Sequence, residues 1–502
     1  MAKNEAVREI EADVVVVGYG SAGAVAAFTA HDAGAKVLVL EAMPEGGGAS
    51  KIANGGIAIP LAPEFGDYLY SICNGLTDRE LIDTFVEHAM KLEDYFREIG
   101  ANFERWKSQE VGLSFPPLTR PSWPKVAGGK QMARGHMVAK DEEKHEGMPM
   151  PEIIRAIGRA YGPETWEVCT RNVEKRGIKV MTRTRVTDLV TNSHGEVVGV
   201  LADSQNGPIQ VKAKRAVVLT TGGFGANRAM REAYLPCPFE YNGLSYAQGD
   251  GIKLSQQVGA QMWHMQGICG QMGFKAPEFD AAFQTRIPSA RFILVDRDGK
   301  RFENETLMKL HNAWRILSPF DPERMMYTRI PSYLIFDEPV RVKGPIGRDW
   351  RVWGDYQWSL DNSAEIAKGW IKKGQTLREL AEQIGAVPEV LEHTVATYNL
   401  YCKNGRDLEC NRDPELMAPI DTPPYYALSQ VPSIISVSGG PKHDKESRVL
   451  DYAGKPIPRL YAAGELGSII SCLYEAGFGF AEIFVFGMIA GKNAAAETSL
   501  QA

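Results

Sequence analysis

The chain has 502 residues, 44% hydrophobic and 24% charged, with 56 Lys and Arg against 62 Asp and Glu for a net charge of −6. That length predicts two or three domains, and the composition excludes a disordered or fibrous chain. The slightly acidic balance argues against general nucleic-acid binding, and seven scattered cysteines with no Cys-x-x-Cys exclude a disulfide scaffold, a zinc ribbon and a dithiol redox motif. The first twelve residues are mixed in charge, and the longest apolar stretch, near Ile483–Ala490, is too short to span a bilayer. A cytoplasmic protein without a membrane span is expected. Glycine is the outlier, at 50 of 502 residues against a usual ~7%.

Taken in chain order, the run Asp13-Val14-Val15-Val16-Val17 reads as a buried parallel strand. A glycine turn follows, then an apolar-periodic helix from about Ala22 to Ala33, then a second strand at Lys36–Leu40. Together they form a βαβ unit. Residues 61–150 look helical and loop-rich. Ile153–Arg176 reads as a helix, followed by strands at Lys179–Val180, Asp188–Val190, Val197–Leu201 and Arg215–Thr220. Gly270–Pro432 changes character, with most of the tryptophans and many prolines. Tyr461–Glu465 returns to the strand-then-glycine style, and a last helix runs from about Gly479 to Ala495. The expected fold is α/β: a Rossmann-type nucleotide-binding domain from residues 1–269 and 431–502, interrupted by an α+β capping domain over 270–430.

Gly18-Tyr19-Gly20-Ser21-Ala22-Gly23 is a G-x-G-x-x-G turn between strand and helix. Its first glycine permits the tight turn, its second lets backbone approach a pyrophosphate, and its third lets helix and strand pack closely. The helix N-terminus faces the phosphate charge. Glu41 ends the next strand, where a carboxylate can bind ribose hydroxyls. Nine of the 50 glycines fall between Gly18 and Gly56, where an even spread would place about four, as a loop-built phosphate site requires.

After Glu41 come Gly46-Gly47-Gly48-Ala49-Ser50 and Asn54-Gly55-Gly56. Further on stand Thr220-Thr221-Gly222-Gly223-Phe224, Gly249-Asp250-Gly251-Ile252, Asp298-Gly299-Lys300-Arg301-Phe302 with Asn304-Glu305, Leu460-Tyr461-Ala462-Ala463-Gly464-Glu465, and Phe486-Gly487-Met488-Ile489-Ala490-Gly491. In that order, over nearly the whole chain, these resemble the fumarate reductase/succinate dehydrogenase flavoprotein superfamily. The resemblance implies FAD under a cap. It places the cofactor against Gly18, Gly20, Ser21, Ala22, Gly23, Glu41, Gly48, Ala49, Ser50, Asn54, Gly55, Gly56, Val186, Thr221, Gly222, Gly223, Asp250, Gly464, Glu465, Gly477, Gly479 and Phe480. Ala49 and Ser50 stand where succinate dehydrogenases attach FAD through histidine, so non-covalent FAD is implied.

Fumarate reductases clamp a dicarboxylate with arginines and histidines. The arginine before their last Gly-rich turn aligns with Tyr474, and Glu465–Gly491 contains no Arg, Lys or His. The family histidine before the Gly439-Gly440 pair is missing too, and His443 lies on the wrong side. A desolvated dicarboxylate would lack compensation there. A tyrosine at this place resembles the 3-ketosteroid dehydrogenase branch. There a tyrosine and a backbone N–H polarise a ketone, hydride passes between carbon and flavin, and a second tyrosine handles the α-proton. Tyr474 matches the first role, with the amide of Gly477 or Phe478 as the N–H. Tyr327 and Tyr333, in the cap, are the candidates for the second.

Other groups read as structural. Arg286 and Arg291 lie near the stretch where fumarate reductases carry their catalytic-acid arginine but do not align with it without a shift, and Arg291 suits a salt bridge. His136 and His145 suit a surface loop, Cys402 and Cys410 free thiols, and Trp350, Trp353, Trp358 and Trp370 either a pocket wall or core. The expected activity is dehydrogenation or reduction of a C–C bond α,β to a ketone, steroid or smaller, with an unidentified electron acceptor or donor. The alternatives are a reductase of an unsaturated carboxylate and an FAD-binding electron-transfer subunit without its own substrate.

Overall fold

The computed structural model describes residues 8–105, 123, 125–138, 161–305, 310–347 and 356–500. Strand β1 (Arg8–Val17) runs parallel to β2 (Val37–Leu40) on one side and to β3 (Gly207–Leu219) on the other. Helix α1 (Ser21–Asp32) joins β1 to β2. Val14 and Val16 point into one apolar cluster and Val15 and Val17 into another. A strand covered on both faces needs no polar alternation, which is why this run is continuous in valine.

The eight-stranded main sheet has the order Arg448–Leu450, Pro456–Ala462, β3, β1, β2, Lys179–Met181, with Thr184–Thr191 and Val197–Ser204 paired outward from β3. The expected βαβ unit and strands are all present. Most are longer than their apolar segments, because charged ends such as Arg8, Glu9 and Glu11 still pair with Ile209–Lys212 while keeping their side chains outside. Of the helix expected at 153–176, Gly162–Lys175 is observed and 153–160 lies outside the described residues.

A seven-stranded second sheet is built around β4 (Ile268–Phe274), β5 (Ser332–Asp337) and β6 (Tyr425–Val437), with β6 paired to both others. The expected junctions at 269/270 and 430/431 fall inside β4 and β6. A third sheet joins Ile57–Pro60, Met132–Met137 and Phe103–Arg105. It was not expected from residues 61–150, whose helical reading holds for Phe65–Ile72, Arg79–Ala89 and Leu92–Glu98.

The last helix, α2 (Phe478–Ala496), packs on α1. A Cβ on Gly491 would lie 2.3 Å from the Ala26 carbonyl oxygen. Small residues on both helices thus let their backbones approach, which brings the N-termini of α1 and α2 to one cavity. Among the described residues no helix is long and apolar enough to cross a membrane, and all seven cysteines are free.

Candidate active site

A cavity of about 710 Å³ lies between the main sheet, the second sheet and the start of α2. Gly18, Gly20, Ser21, Ala22, Glu41, Gly48, Ala49, Ser50, Asn54, Gly55, Gly56, Val186, Thr221, Gly222, Gly223, Asp250, Glu465, Gly477, Gly479 and Phe480 line it. Gly23 and Gly464 do not. A Cβ on Gly23 would sit 2.0 Å from the Gly18 carbonyl oxygen, and one on Gly464 2.8 Å from Ala22 Cβ. Both hold the wall from behind.

The turn residues fit FAD. A Cβ on Gly20 would meet nothing closer than the Gly47 carbonyl oxygen at 3.8 Å, and one on Gly48 nothing within 4 Å. Both open onto the cavity and leave bare backbone for phosphate. Glu41 accepts the Tyr19 N–H at 2.7 Å and the Met43 N–H at 2.8 Å. Two bonds fix the carboxylate, and its remaining lone pairs can take ribose hydroxyls. Asp250 pairs with Arg185, and Ser50 Oγ accepts the Ser21 N–H at 3.2 Å.

Tyr474 lies on the turn that enters α2. Asn312 clasps its backbone, accepting the Tyr474 N–H at 3.1 Å and donating to its carbonyl at 2.9 Å. The next residue, Glu475, is buried, and Tyr68, Arg134 and the Ala476 N–H all donate to its carboxylate. The Tyr474 hydroxyl accepts the Gly479 N–H at 3.1 Å. Burial raises its pKa well above the ordinary value. It is therefore a neutral group whose proton is free to be donated to a ligand oxygen.

Of the two candidate amides, Phe478 N–H is bonded to the Glu475 carbonyl at 3.2 Å. Gly477 N–H has no hydrogen-bond partner among the described residues. Gly477 has φ +87°, and a Cβ there would lie 2.9 Å from Ala58 N, so only glycine suits this turn. The free N-terminus of a 19-residue helix favours negative charge at this end of the cavity.

The cap tyrosines are not brought here, which corrects both candidacies. Leu334 and Phe336 face one core cluster and Ile335 another; strand alternation puts Tyr333 with Ile335, away from the cavity. Tyr327 packs on Phe320 and bonds the Pro236 carbonyl at 3.4 Å, also outside the cavity wall. Arg291 makes the expected salt bridges, to Asp337 and to Asp421 at 2.8 Å. Trp358 and Trp370 belong to the apolar core around Phe274 and Phe283, while Trp350, Trp353 and His145 lie outside the described residues. His136 is buried against Tyr161 at 3.8 Å between ring centres, not on the surface, because its strand is paired on both sides.

Sequence reasoning did not single out Cys269, His311 and Glu482 and gave Arg286 no place in the site; all four line the cavity. His311 Nδ1 lies 3.4 Å from Cys269 Sγ, and its ring meets Tyr474 edge-on at 5.2 Å. Burial, with Arg134 and Arg286 nearby, lowers the His311 pKa to about 3, so it is neutral. Burial also raises the Cys269 thiol.

Glu482 accepts the Ile469 N–H and the Ser468 hydroxyl, both at 2.7 Å, and burial raises its pKa to about 7. The folded chain therefore keeps this proton up to about pH 7, whereas an unfolded one loses it near ~4.3. Stability from this group is full at low pH and is lost as pH rises towards 7. In the FAD-free protein the urea midpoint is expected to fall from about pH 5 to about pH 7, and less steeply in Glu482→Gln. Parallel profiles would refute the shift.

Comparison with known proteins agrees with this geometry. A family model described as "FAD binding domain" matches residues 13–477. A fumarate reductase (cytochrome) of Shewanella frigidimarina is 28% identical, over 96% of this chain and 77% of that protein. A 3-oxosteroid 1-dehydrogenase of Mycolicibacterium smegmatis is 26% identical, over 91% of this chain and 92% of that one. The crystal structure of a 3-ketosteroid Δ1-dehydrogenase from Sterolibacterium denitrificans superposes with a TM-score of 0.81 at 23% identity, covering 97% of this chain and 99% of that one.

Proposed function

The chain belongs to the FAD-binding-domain family, within the fumarate reductase/succinate dehydrogenase flavoproteins, and from that premise we propose that it forms or reduces a C–C double bond α,β to a carbonyl that Tyr474 polarises. FAD supplies the hydride chemistry. The observation that carries the reading is the Tyr474 hydroxyl, held by Gly479 N–H and kept protonated by burial, on a residue that lines the cavity together with Gly477, whose N–H is unspent among the described residues. Donated together to one carbonyl oxygen, the two neutral groups would stabilise the negative charge that grows there as the α-carbon loses or gains its proton. Neutral donors suit a ketone, whose charge is transient, better than a second carboxylate. Seven free cysteines suit a reducing, cytoplasmic setting.

The test is anaerobic. Oxidised holoenzyme is mixed with saturated cyclic ketones, and reduced holoenzyme with the matching enones and with fumarate. The flavin is expected to bleach with ketones or reoxidise with enones. Reoxidation by fumarate alone would overturn the carbonyl reading.

A further inference from the structure

Arg286 follows the short strand Phe283–Gln284 and is fixed by its own N–H, which donates to the Ile346 carbonyl at 2.8 Å. Its side chain lines the cavity. Among the described residues its guanidinium has no carboxylate or hydrogen-bond partner. The other arginines of the wall are matched: Arg185 by Asp250, and Arg105 by Glu93 at 2.6 Å. His311, Cys269 and Tyr474 stay uncharged, and the carboxyl groups of Glu465 and Glu482, which also line the cavity and are raised to about 7 by burial, make no hydrogen bond to Arg286 among the described residues. Burial alone lowers the Arg286 pKa to about 10, which leaves it a cation at neutral pH.

We infer that the substrate is a keto acid: a carbonyl compound whose carbonyl oxygen meets Tyr474 and whose separate carboxylate pairs with Arg286. The inference rests on the carbonyl reading above. Arg286 is half-buried; a guanidinium partly withdrawn from water without a counter-charge is unfavourable, and a bidentate carboxylate offsets that cost. The phosphates of FAD have their own expected donors in the bare backbone of Gly20 and Gly48. Arg286 instead influences His311, whose ring touches Tyr474. A neutral ketone would leave the cation bare. A dicarboxylate would bring a second charge with no cation to meet it.

The test reads binding rather than turnover. Oxidised holoenzyme is titrated with 4-oxocyclohexane-1-carboxylate and with its methyl ester, following the flavin absorption change. The acid is expected to bind at least ~30-fold tighter than the ester. Arg286→Gln should abolish that preference by weakening the acid and leave the ester within ~3-fold, with Arg286→Lys between. Because the Gln variant removes an uncompensated charge, the ligand-free variant should be no less stable to heat than the parent. Tyr474→Phe should weaken acid and ester equally and keep the preference. Equal binding of acid and ester by the parent would overturn the inference, as would equal weakening of both by Arg286→Gln. Absence of any flavin change with either probe would instead sink the carbonyl reading, and the inference with it.

Discussion

Tyr474→Phe is expected to bind FAD normally and to lose at least ~10²-fold in turnover on whichever ketone or enone exchanges electrons with the flavin. The hydroxyl lines the cavity and takes one hydrogen bond, from Gly479 N–H. Its own proton is therefore the part that reaches a ligand. A donor that strengthens its bond only as charge develops on the carbonyl lowers kcat more than it changes KM when removed. The cofactor should be unaffected, because its expected phosphate and ribose contacts lie on Gly20, Gly48 and Glu41. The visible spectrum of the purified variant checks retention, and stopped-flow flavin reduction checks the step. Turnover equal to that of the parent would remove Tyr474 from the mechanism. Burial keeps the hydroxyl protonated well above the ordinary tyrosine value, so no loss of activity below about pH 10 should trace to this group.

Arg134→Ala is expected to be the most destabilising single change near the site, by ~3–5 kcal/mol. Arg134 and Glu475 are an ion pair with side-chain exposures of 4% and 0%. Removing the arginine takes a charged partner from buried Glu475, which keeps its bonds from the Tyr68 hydroxyl and the Ala476 N–H. Arg134 also donates to the Ala476 carbonyl at 2.8 Å. The pair therefore shapes the backbone between Tyr474 and Gly477, and its loss should slow flavin reduction as well as unfold the protein earlier. Urea denaturation of the holoenzyme, compared with Glu475→Gln and with the double variant, separates the pair from its parts. A loss below ~1 kcal/mol for Arg134→Ala would show that the turn is held by other bonds.

The sequence carried the nucleotide site because that site is local. Gly18 to Glu41 encodes strand, turn, helix and acid in one stretch, and each residue type answers to a nearby constraint. Tyr474 came instead from the family resemblance, by ungapped alignment of Phe480–Gly491, and the structure puts it on the cavity wall. Arg286, His311 and Cys269 were not legible, because three separate segments bring them to the wall: β4, the residues after Phe283–Gln284, and Leu310–Ile316. One signal was available. Ala281 to Val295 holds two arginines and no acidic residue, and only Arg291 finds partners elsewhere. Tyr333 was misplaced because strand register, not residue type, decides which face a side chain takes.

The crossing of α1 and α2 at Gly491 and Ala26 also bears on the birth of the protein. During translation the glycine turn at Gly18 emerges early, but the helix that closes over its own helix, and the loop bearing Tyr474, emerge more than four hundred residues later. At ~5–20 residues per second, the nascent chain spends tens of seconds with its nucleotide pocket open on one side. Cofactor capture is therefore expected late in synthesis, and a ribosome stalled before α2 is expected to hold a chain without FAD, its first helix still uncovered along the face that Gly491 would meet.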